Sequence, residues 1–189
     1  MIDSVTGVIL TGGKSTRMGK NKALLPYQGK RLIDAPIETL TRIFSNVILS
    51  VREPQDYAGY SLPKIADLYA EIGPMGGICS VLKSGHKRIF CIACDMPFLN
   101  QALITHLCGF TDFDAVIPVW EQREEVLHAV YSDALIPVFE DAIRLQQYKL
   151  TNALVSTHVR YIEQDEIRRF DPTGDSFRNV NTPIDYEKL

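Results

Sequence analysis

Residues 5–25 read VTGVILTGGKSTRMGKNKALL, an apolar run that opens into a loop of glycines and positive charges. The apolar run has the composition of a buried strand. Gly12 and Gly13 then allow a tight turn that brings backbone N–H groups close to an anion. Four basic residues follow within ten residues of this turn: Lys14, Arg17, Lys20 and Lys22. The stretch therefore predicts a phosphate-binding loop at the end of a strand.

Two common phosphate-binding patterns do not fit this loop. The P-loop pattern GxxxxGK[ST] matches at Gly13-Lys14-Ser15, but its first glycine would have to stand at position 8, which is Val8. The dinucleotide pattern GxGxxG fails because Gly12 and Gly13 are adjacent and the next glycine is Gly19. The loop must therefore belong to another class of phosphate site.

Length and composition are those of an ordinary globular protein. The chain has 189 residues, 46% of them hydrophobic and 23% charged, so we expect a single domain spanning residues 1–189. A net charge of −3 argues against a nucleic-acid partner and makes the basic cluster a local feature. No apolar stretch is long enough to span a bilayer, and residues 1–4 lack the basic start of a signal peptide. We expect a cytoplasmic protein without a membrane partner.

The four cysteines invite a metal or disulfide interpretation, since Cys91 and Cys94 form a CxxC. This pair lies in the apolar run RIFCIAC, and Cys79 and Cys108 form no second CxxC. Scattered cysteines in a cytosolic chain are usually reduced. We therefore expect the cysteines to fill the core, and the dispersed histidines to occupy ordinary surface or core positions.

Apolar runs alternate with amphipathic segments along most of the chain, a pattern typical of a parallel sheet flanked by helices. Strands are predicted at 8–11, 46–51, 64–66, 88–93, 114–119 and 126–131, with a late edge strand at 159–163. Helices are predicted at 32–44, 75–82, 102–107, 134–147 and 150–156. The expected fold is α/β: a three-layer, Rossmann-like, mostly parallel sheet with helices on both faces.

Ligands of open α/β sheets collect at the carboxyl ends of the strands, where two aspartates of this chain fall. Asp67 follows the run 64–66 and precedes a glycine segment whose Gly76 and Gly77 fit tight packing and site lining equally well. Asp95 follows the run 88–93 and precedes a proline turn. A rigidly held carboxylate suits Mg²⁺, whose shell substrate phosphates and water complete. Asp95 is therefore our candidate metal ligand, against the alternative of a helix cap or turn residue.

Four ordered segments resemble the molybdenum cofactor guanylyltransferases, within the wider nucleoside-triphosphate transferase group. They are LTGGKSTRMGKNKALL at 10–25, GPMGGI at 73–78, ACDMPFL at 93–99 and RNVNTP at 178–183. The resemblance is strong over 5–131 and 177–185 and weak between. It implies a nucleoside-triphosphate transferase fold, and the Mg²⁺-dependent transfer of GMP from GTP to molybdenum-molybdopterin with release of pyrophosphate.

The resemblance also implies roles for individual residues. Lys22 would stabilise charge on the α-phosphate, Arg17 would hold the departing pyrophosphate, and Asp95 would anchor Mg²⁺. The residues expected at the nucleotide are Leu10, Thr11, Gly12, Gly13, Lys22, Asp67 and Asp95. Asn179 and Asn181 of the closing segment are expected on the pterin or metal side.

Two alternatives stay open beside this interpretation. Relatives that use CTP and act as molybdopterin cytidylyltransferases share the loop with Arg17 and Lys22. The paired Gly12-Gly13 and the CDMP form at 94–97 resemble the guanine class, and a methyl group at the first glycine would crowd a purine edge. The second alternative is a non-catalytic nucleotide-binding partner of molybdoenzyme maturation. The joint presence of Arg17, Lys22 and Asp95 favours catalysis.

The chain departs from the family pattern at two places. Thr11 stands where the family commonly has alanine, a change that adds a hydroxyl group. Val126 stands where the family usually has proline, with Glu124 and Glu125 just upstream. We expect the segment 123–131 to border the pterin pocket, and transient contacts with proteins that deliver molybdopterin or mature molybdoenzymes are compatible with the resemblance.

Overall fold

A mixed eight-stranded sheet organises the computed structural model, which describes residues 1–12, 21–69 and 71–180. The strands in these ranges are β1 (Thr6–Leu10), β2 (Pro26–Tyr27), β3 (Lys30–Arg31), β4 (Val47–Val51), β5 (Lys64–Ala66), β6 (Arg88–Ala93), β7 (Ala115–Trp120), β8 (Arg123–Glu124), β9 (His128–Ser132) and β10 (Val159–Ile162). The main sheet has the order β10-β7-β9-β6-β1-β4-β5, with β8 paired to β7. Strands β2 and β3 form a separate hairpin.

The predicted parallel sheet is confirmed for the four strands from β6 to β5. Val8 of β1 lies beside Ile48 of β4 and Cys91 of β6, and both pairings are parallel. Strand β10 is an edge strand and pairs in parallel with β7, as expected. Strand β9 runs antiparallel to both of its neighbours. It is reversed because only residues 121–127 separate it from β7, too few for the crossover that a parallel return requires.

Helices cover both faces of the sheet, which confirms the three-layer α/β arrangement. They are α1 (Asp34–Ile43), α2 (Pro74–Lys83), α3 (Gln101–Cys108), α4 (Ile136–Arg144), α5 (Leu150–Ala153) and α6 (Gln164–Ile167). Helices α1, α3 and α6 share one buried core with Ile9, whereas α2, α4 and α5 share the other with Val8 and Leu10. The alternation along β1 follows from the two-residue period of a strand.

Several elements are shorter than the sequence predicts, and some were not predicted. The helix predicted at 134–147 runs only from Ile136 to Arg144, since 133–135 form a 3-10 turn and Gln146 has a left-handed backbone, with φ 58°. The helix predicted at 150–156 ends at Ala153. The hairpin β2–β3, the two-residue strand β8 and the four-residue helix α6 are too short to give a periodic pattern.

The four cysteines are free and buried, as expected for core residues. Cys91 belongs to one core and Cys94 to the other, so the CxxC divides between the two faces of the sheet. Burial raises the pKa of the Cys94 thiol to about 12, and the thiol is therefore protonated at neutral pH. None of the helices in the described part of the chain has the length and apolar character needed to cross a membrane.

Candidate active site

The carboxyl ends of β1, β4 and β5 open onto a cleft of about 430 Å³. The lining residues come from these strand ends and from the start of α2: Leu10, Gly12, Ser50, Val51, Arg52, Glu53, Asp67, Glu71, Ile72, Gly73, Pro74 and Gly77. The volume lies in the range of small-molecule sites. Three of the predicted nucleotide-binding residues, Leu10, Gly12 and Asp67, therefore share one cavity.

The end of β1 is fastened to the end of β4. The backbone N–H of Thr11 donates to the Ser50 carbonyl at 3.0 Å, and the Thr11 hydroxyl donates to the same oxygen at 2.9 Å. Gly12 follows and is exposed, and a Cβ atom built on it would meet none of the described residues within 4 Å. Packing against the described part of the chain therefore does not require glycine at position 12.

Helix α2 begins at the cleft. Gly73 precedes it with a φ of 83°, and Pro74 occupies its first turn. A Cβ atom on Gly76 would lie 2.8 Å from the Tyr69 carbonyl oxygen, so Gly76 is a packing residue. A Cβ atom on Gly77 would lie 2.8 Å from Ser50 Oγ, and Gly77 also lines the cleft. The close approach of α2 to β4 brings the positive end of the helix dipole to the cavity.

Asp67 is held at the cleft by its own neighbours. Its Oδ1 atom accepts a hydrogen bond from the Tyr69 backbone at 2.8 Å and one from the Ser80 hydroxyl at 3.2 Å. Burial raises the pKa of this carboxyl group, an effect that the two hydrogen bonds oppose. The Oδ2 atom accepts no hydrogen bond from the residues that the structure describes, and it is therefore available to donors of a ligand.

Lys22 and Asp95 meet on the other side of β1, at the end of β6. The Lys22 Nζ atom donates to Asp95 Oδ2 at 2.5 Å, although the two residues are 73 positions apart. Their side chains are 24% and 16% exposed. The Asp95 loop is joined to β1 by the hydrogen bond from the Cys94 N–H to the Leu10 carbonyl, at 3.1 Å. The structure thus brings together two of the three predicted catalytic residues.

The donor set around Asp95 suits Mg²⁺ that arrives with a substrate. No group of three or more carboxylate, histidine or cysteine ligands occurs among the described residues, so they contain no dedicated metal cage. Proteins commonly bind Mg²⁺ through one or two carboxylates, with substrate phosphates and waters supplying the other oxygens. A single, partly exposed carboxylate beside a lysine fits that mode of binding.

The C-terminal segment crosses next to Asp95. The Val180 N–H donates to the Asp95 carbonyl at 2.9 Å, which brings the exposed Asn179 close to the Asp95 loop. Asp171 turns this segment by accepting from the Ser176 N–H at 2.8 Å, and Ser176 Oγ accepts from the Asn100 backbone at 3.1 Å. Three predicted site residues lie outside the described residues: Gly13, Arg17 and Asn181.

The connection from β7 to β9 also reaches this end of the sheet. The Leu127 carbonyl accepts from the Ala93 N–H at 3.3 Å, two residues before Asp95. Glu124 is exposed, whereas Glu125 and Val126 are half-buried. Burial raises the pKa of Glu125. The segment predicted to border the acceptor pocket therefore lies beside the Asp95 loop.

Sequence reasoning missed several residues at the cleft. Arg52 and Glu71 both line it and form an ion pair at 3.5 Å between exposed side chains. Ser80 supports Asp67 from within α2. The strand-end rule that singled out Asp67 applies equally to the polar residues after the apolar run 47–51, so Arg52 and Glu53 carried a usable signal.

Comparison with known proteins gives a consistent picture. A family model described as a MobA-like NTP transferase domain matches residues 7–161. A protein of Desulfosudis oleivorans named molybdenum cofactor guanylyltransferase is 34% identical, over 99% of this chain and 95% of its own length. A protein of Carboxydothermus hydrogenoformans named probable molybdenum cofactor guanylyltransferase is 32% identical, over 100% and 96%.

Solved structures share the fold. The molybdopterin-guanine dinucleotide biosynthesis protein A of Archaeoglobus fulgidus is 27% identical and matches with a TM-score of 0.85, over 97% of this chain and 96% of that one. The 4-diphosphocytidyl-2C-methyl-D-erythritol synthase of Anaerococcus prevotii matches with a TM-score of 0.69 at 11% identity, over 96% and 95%. The second likeness concerns the fold alone.

Proposed function

The chain belongs to the MobA-like NTP transferase family and is a nucleotidyltransferase, and on this premise we propose that it transfers GMP from GTP to molybdenum-molybdopterin. The observation that carries the proposal is the Lys22–Asp95 pair at the end of β6, next to a strand-end cleft of nucleotide size. We place the activity in one domain over residues 1–189, in the cytoplasm.

The proposed reaction is an in-line substitution at the α-phosphorus. An oxygen of the terminal phosphate of molybdopterin forms a bond to the α-phosphorus of GTP, and the bond to the α–β bridging oxygen breaks. Pyrophosphate leaves with that electron pair. Because the attacking phosphate is already anionic near neutral pH, the reaction needs charge neutralisation and alignment more than a general base.

Lys22 and Asp95 both suit the requirement for charge neutralisation. The Lys22 ammonium group is a compact cation that stabilises negative charge as it builds on the α-phosphate. Asp95 would hold Mg²⁺, which neutralises phosphate oxygens when it is bound. Arg17 would hold the pyrophosphate, an assignment that rests on the family resemblance.

A carboxylate of the cleft supports GTP as the nucleotide. The Watson–Crick edge of guanine presents two adjacent donors, N1–H and the 2-amino group, which a carboxylate accepts together. Asp67 supplies such a carboxylate in the cleft, since its Oδ2 atom accepts no hydrogen bond from the described residues. Cytosine offers one amino donor beside an acceptor nitrogen, and a carboxylate repels that nitrogen. Recognition of the base by this carboxylate would therefore favour GTP over CTP.

The decisive experiment mixes the protein with molybdopterin, Mg²⁺ and each of the four nucleoside triphosphates in turn. Mass spectrometry identifies any dinucleotide, and pyrophosphate release gives the rate. We expect the guanine dinucleotide from GTP and a rate with CTP lower by about two orders of magnitude. A cytosine dinucleotide as the main product would assign the cytidylyltransferase activity. Nucleotide binding without any dinucleotide would assign a non-catalytic partner.

A further inference from the structure

We infer that Tyr57 is a positioning residue whose hydroxyl group fixes the cap of the turn that carries Lys22, and so holds Lys22 at the phosphate site. The catalytic part of this inference rests on the proposed function. The structural part, a tie between Tyr57 and Asn21, stands on hydrogen bonds within the described residues.

The tie is the bond from Tyr57 to Asn21. Tyr57 is only 2% exposed and ends the 3-10 turn Pro54–Tyr57, which follows β4. Its hydroxyl donates to Asn21 Oδ1 at 3.1 Å. The same oxygen accepts from the Ala23 N–H at 3.2 Å and so caps the 3-10 turn Lys22–Leu24. Tyr57 thus fixes the cap of the turn that carries Lys22.

The Tyr57 hydroxyl group remains a donor at neutral pH. Burial raises the pKa of Tyr57 above its ordinary value, so the phenol keeps its proton. The Asn21 Oδ1 atom is an amide oxygen and can only accept, so it needs such a donor. The protonated Tyr57 hydroxyl therefore keeps its bond to the cap of the Lys22 turn.

Such a tie matters because lysine is flexible. The Lys22 side chain has many accessible rotamers. A fixed backbone at residue 22 reduces the number of positions that its ammonium group can occupy, and so favours the productive one. Because Lys22 acts on charge that develops during the reaction, its misplacement lowers kcat more than it raises KM.

The neighbouring Tyr60 provides a matched control. Its hydroxyl donates to Asp34 of α1 at 2.7 Å, and its ring packs near that of Tyr57 at a centroid distance of 6.2 Å. Tyr57→Phe and Tyr60→Phe each remove one bonded hydroxyl and keep the ring. Only the first removes a contact with the cap of the Lys22 turn.

The test combines amide hydrogen exchange with kinetics. In Tyr57→Phe we expect faster exchange of the Ala23 N–H, kcat lower by about tenfold, and KM for GTP within about twofold of the original protein. Tyr60→Phe should change none of the three. Normal exchange and normal turnover in Tyr57→Phe would overturn the inference, as would equal effects of the two variants.

Two further variants test the route through Asn21. If Tyr57 acts on Lys22 through Asn21, Asn21→Ala and Tyr57→Phe are non-additive in kcat, and the double variant is no slower than the slower single variant. Additive losses would refute that route. The exchange readout needs no substrate, so absence of dinucleotide from the unsubstituted protein would refute the proposed function without refuting the tie.

Discussion

The two halves of the central sheet use their carboxyl ends differently. On the β4–β5 side of β1 the strands are all parallel, and their ends open into the cleft lined by Asp67 and the start of α2. On the β6 side the next strand, β9, is reversed, and the C-terminal segment crosses there through the bond from Val180 to Asp95. The first half offers a preformed pocket, whereas the second is assembled from distant parts of the chain around Asp95.

The largest effect is expected where the two halves meet. Asp95→Ala removes both the carboxylate proposed for Mg²⁺ and the partner of Lys22, so transfer should fall by at least about two orders of magnitude while the fold is retained. Turnover measured across a Mg²⁺ titration checks this result. Asp133→Ala is the control, since it also removes a lysine partner, that of the exposed Lys87. Undiminished turnover in Asp95→Ala would remove the metal assignment.

The β9 side carries a second expected effect, on stability in acid. Neither ring nitrogen of the fully buried His128 has a hydrogen-bond partner among the described residues, and burial lowers the pKa of His128 to about 3. The unfolded chain binds a proton below about pH 6.5, whereas the folded chain does not. The contribution of His128 to the free energy of unfolding is therefore fully present above that pH. It falls by about 1.4 kcal/mol per pH unit between that pH and the folded pKa.

His128→Leu should flatten this acid loss, because it replaces the unpaired polar ring with an apolar group. Denaturant unfolding at pH 7 and pH 4 measures the difference. His158→Leu changes an exposed histidine and serves as the control. If the free energy of unfolding falls as much from pH 7 to pH 4 in His128→Leu as in the unsubstituted protein, other groups cause the loss of stability in acid.

A smaller effect is expected from adding a methyl group where α2 packs against β4. Gly77→Ala places a methyl group 2.8 Å from Ser50 Oγ and 3.1 Å from Leu10 Cδ2, so it should cost about 1–3 kcal/mol of stability and weaken nucleotide binding. Thermal unfolding with and without GTP measures both. Gly59→Ala, where the new methyl group meets no described residue within 4 Å, is the control. Equal melting temperatures for the two variants would argue against close packing at Gly77.

The smallest effect concerns the choice of base. In Gly12→Ala the new methyl group has no described residue within 4 Å, so the melting temperature without ligand should not change. In the unsubstituted protein, GTP with Mg²⁺ should raise the melting temperature more than CTP does, and the variant should lose part of that difference, about tenfold in relative affinity. A full GTP preference in the variant would show that Gly12 does not select the purine.

The comparison of the two halves of the sheet also shows which features could be predicted from the sequence. The ends of β1, β5 and β6 are recognisable because an apolar run stops at a polar residue, and this rule located Asp67 and Asp95. The sequence pattern predicts β9 as a strand but does not give its direction. The direction is reversed because the connection from β7 is short. The links from Tyr57 to Asn21 and from Val180 to Asp95 join residues 36 and 85 positions apart, and local periodicity carries no information about such pairs.

The distance along the chain between Lys22 and Asp95 has a kinetic consequence. The two charges meet only after β1 and β6 lie side by side, a contact of high sequence separation and therefore slow to form. Recovery of transferase turnover during refolding will thus lag behind the return of helical circular dichroism. The recovery of activity therefore reports when the central strands β1 and β6 have paired.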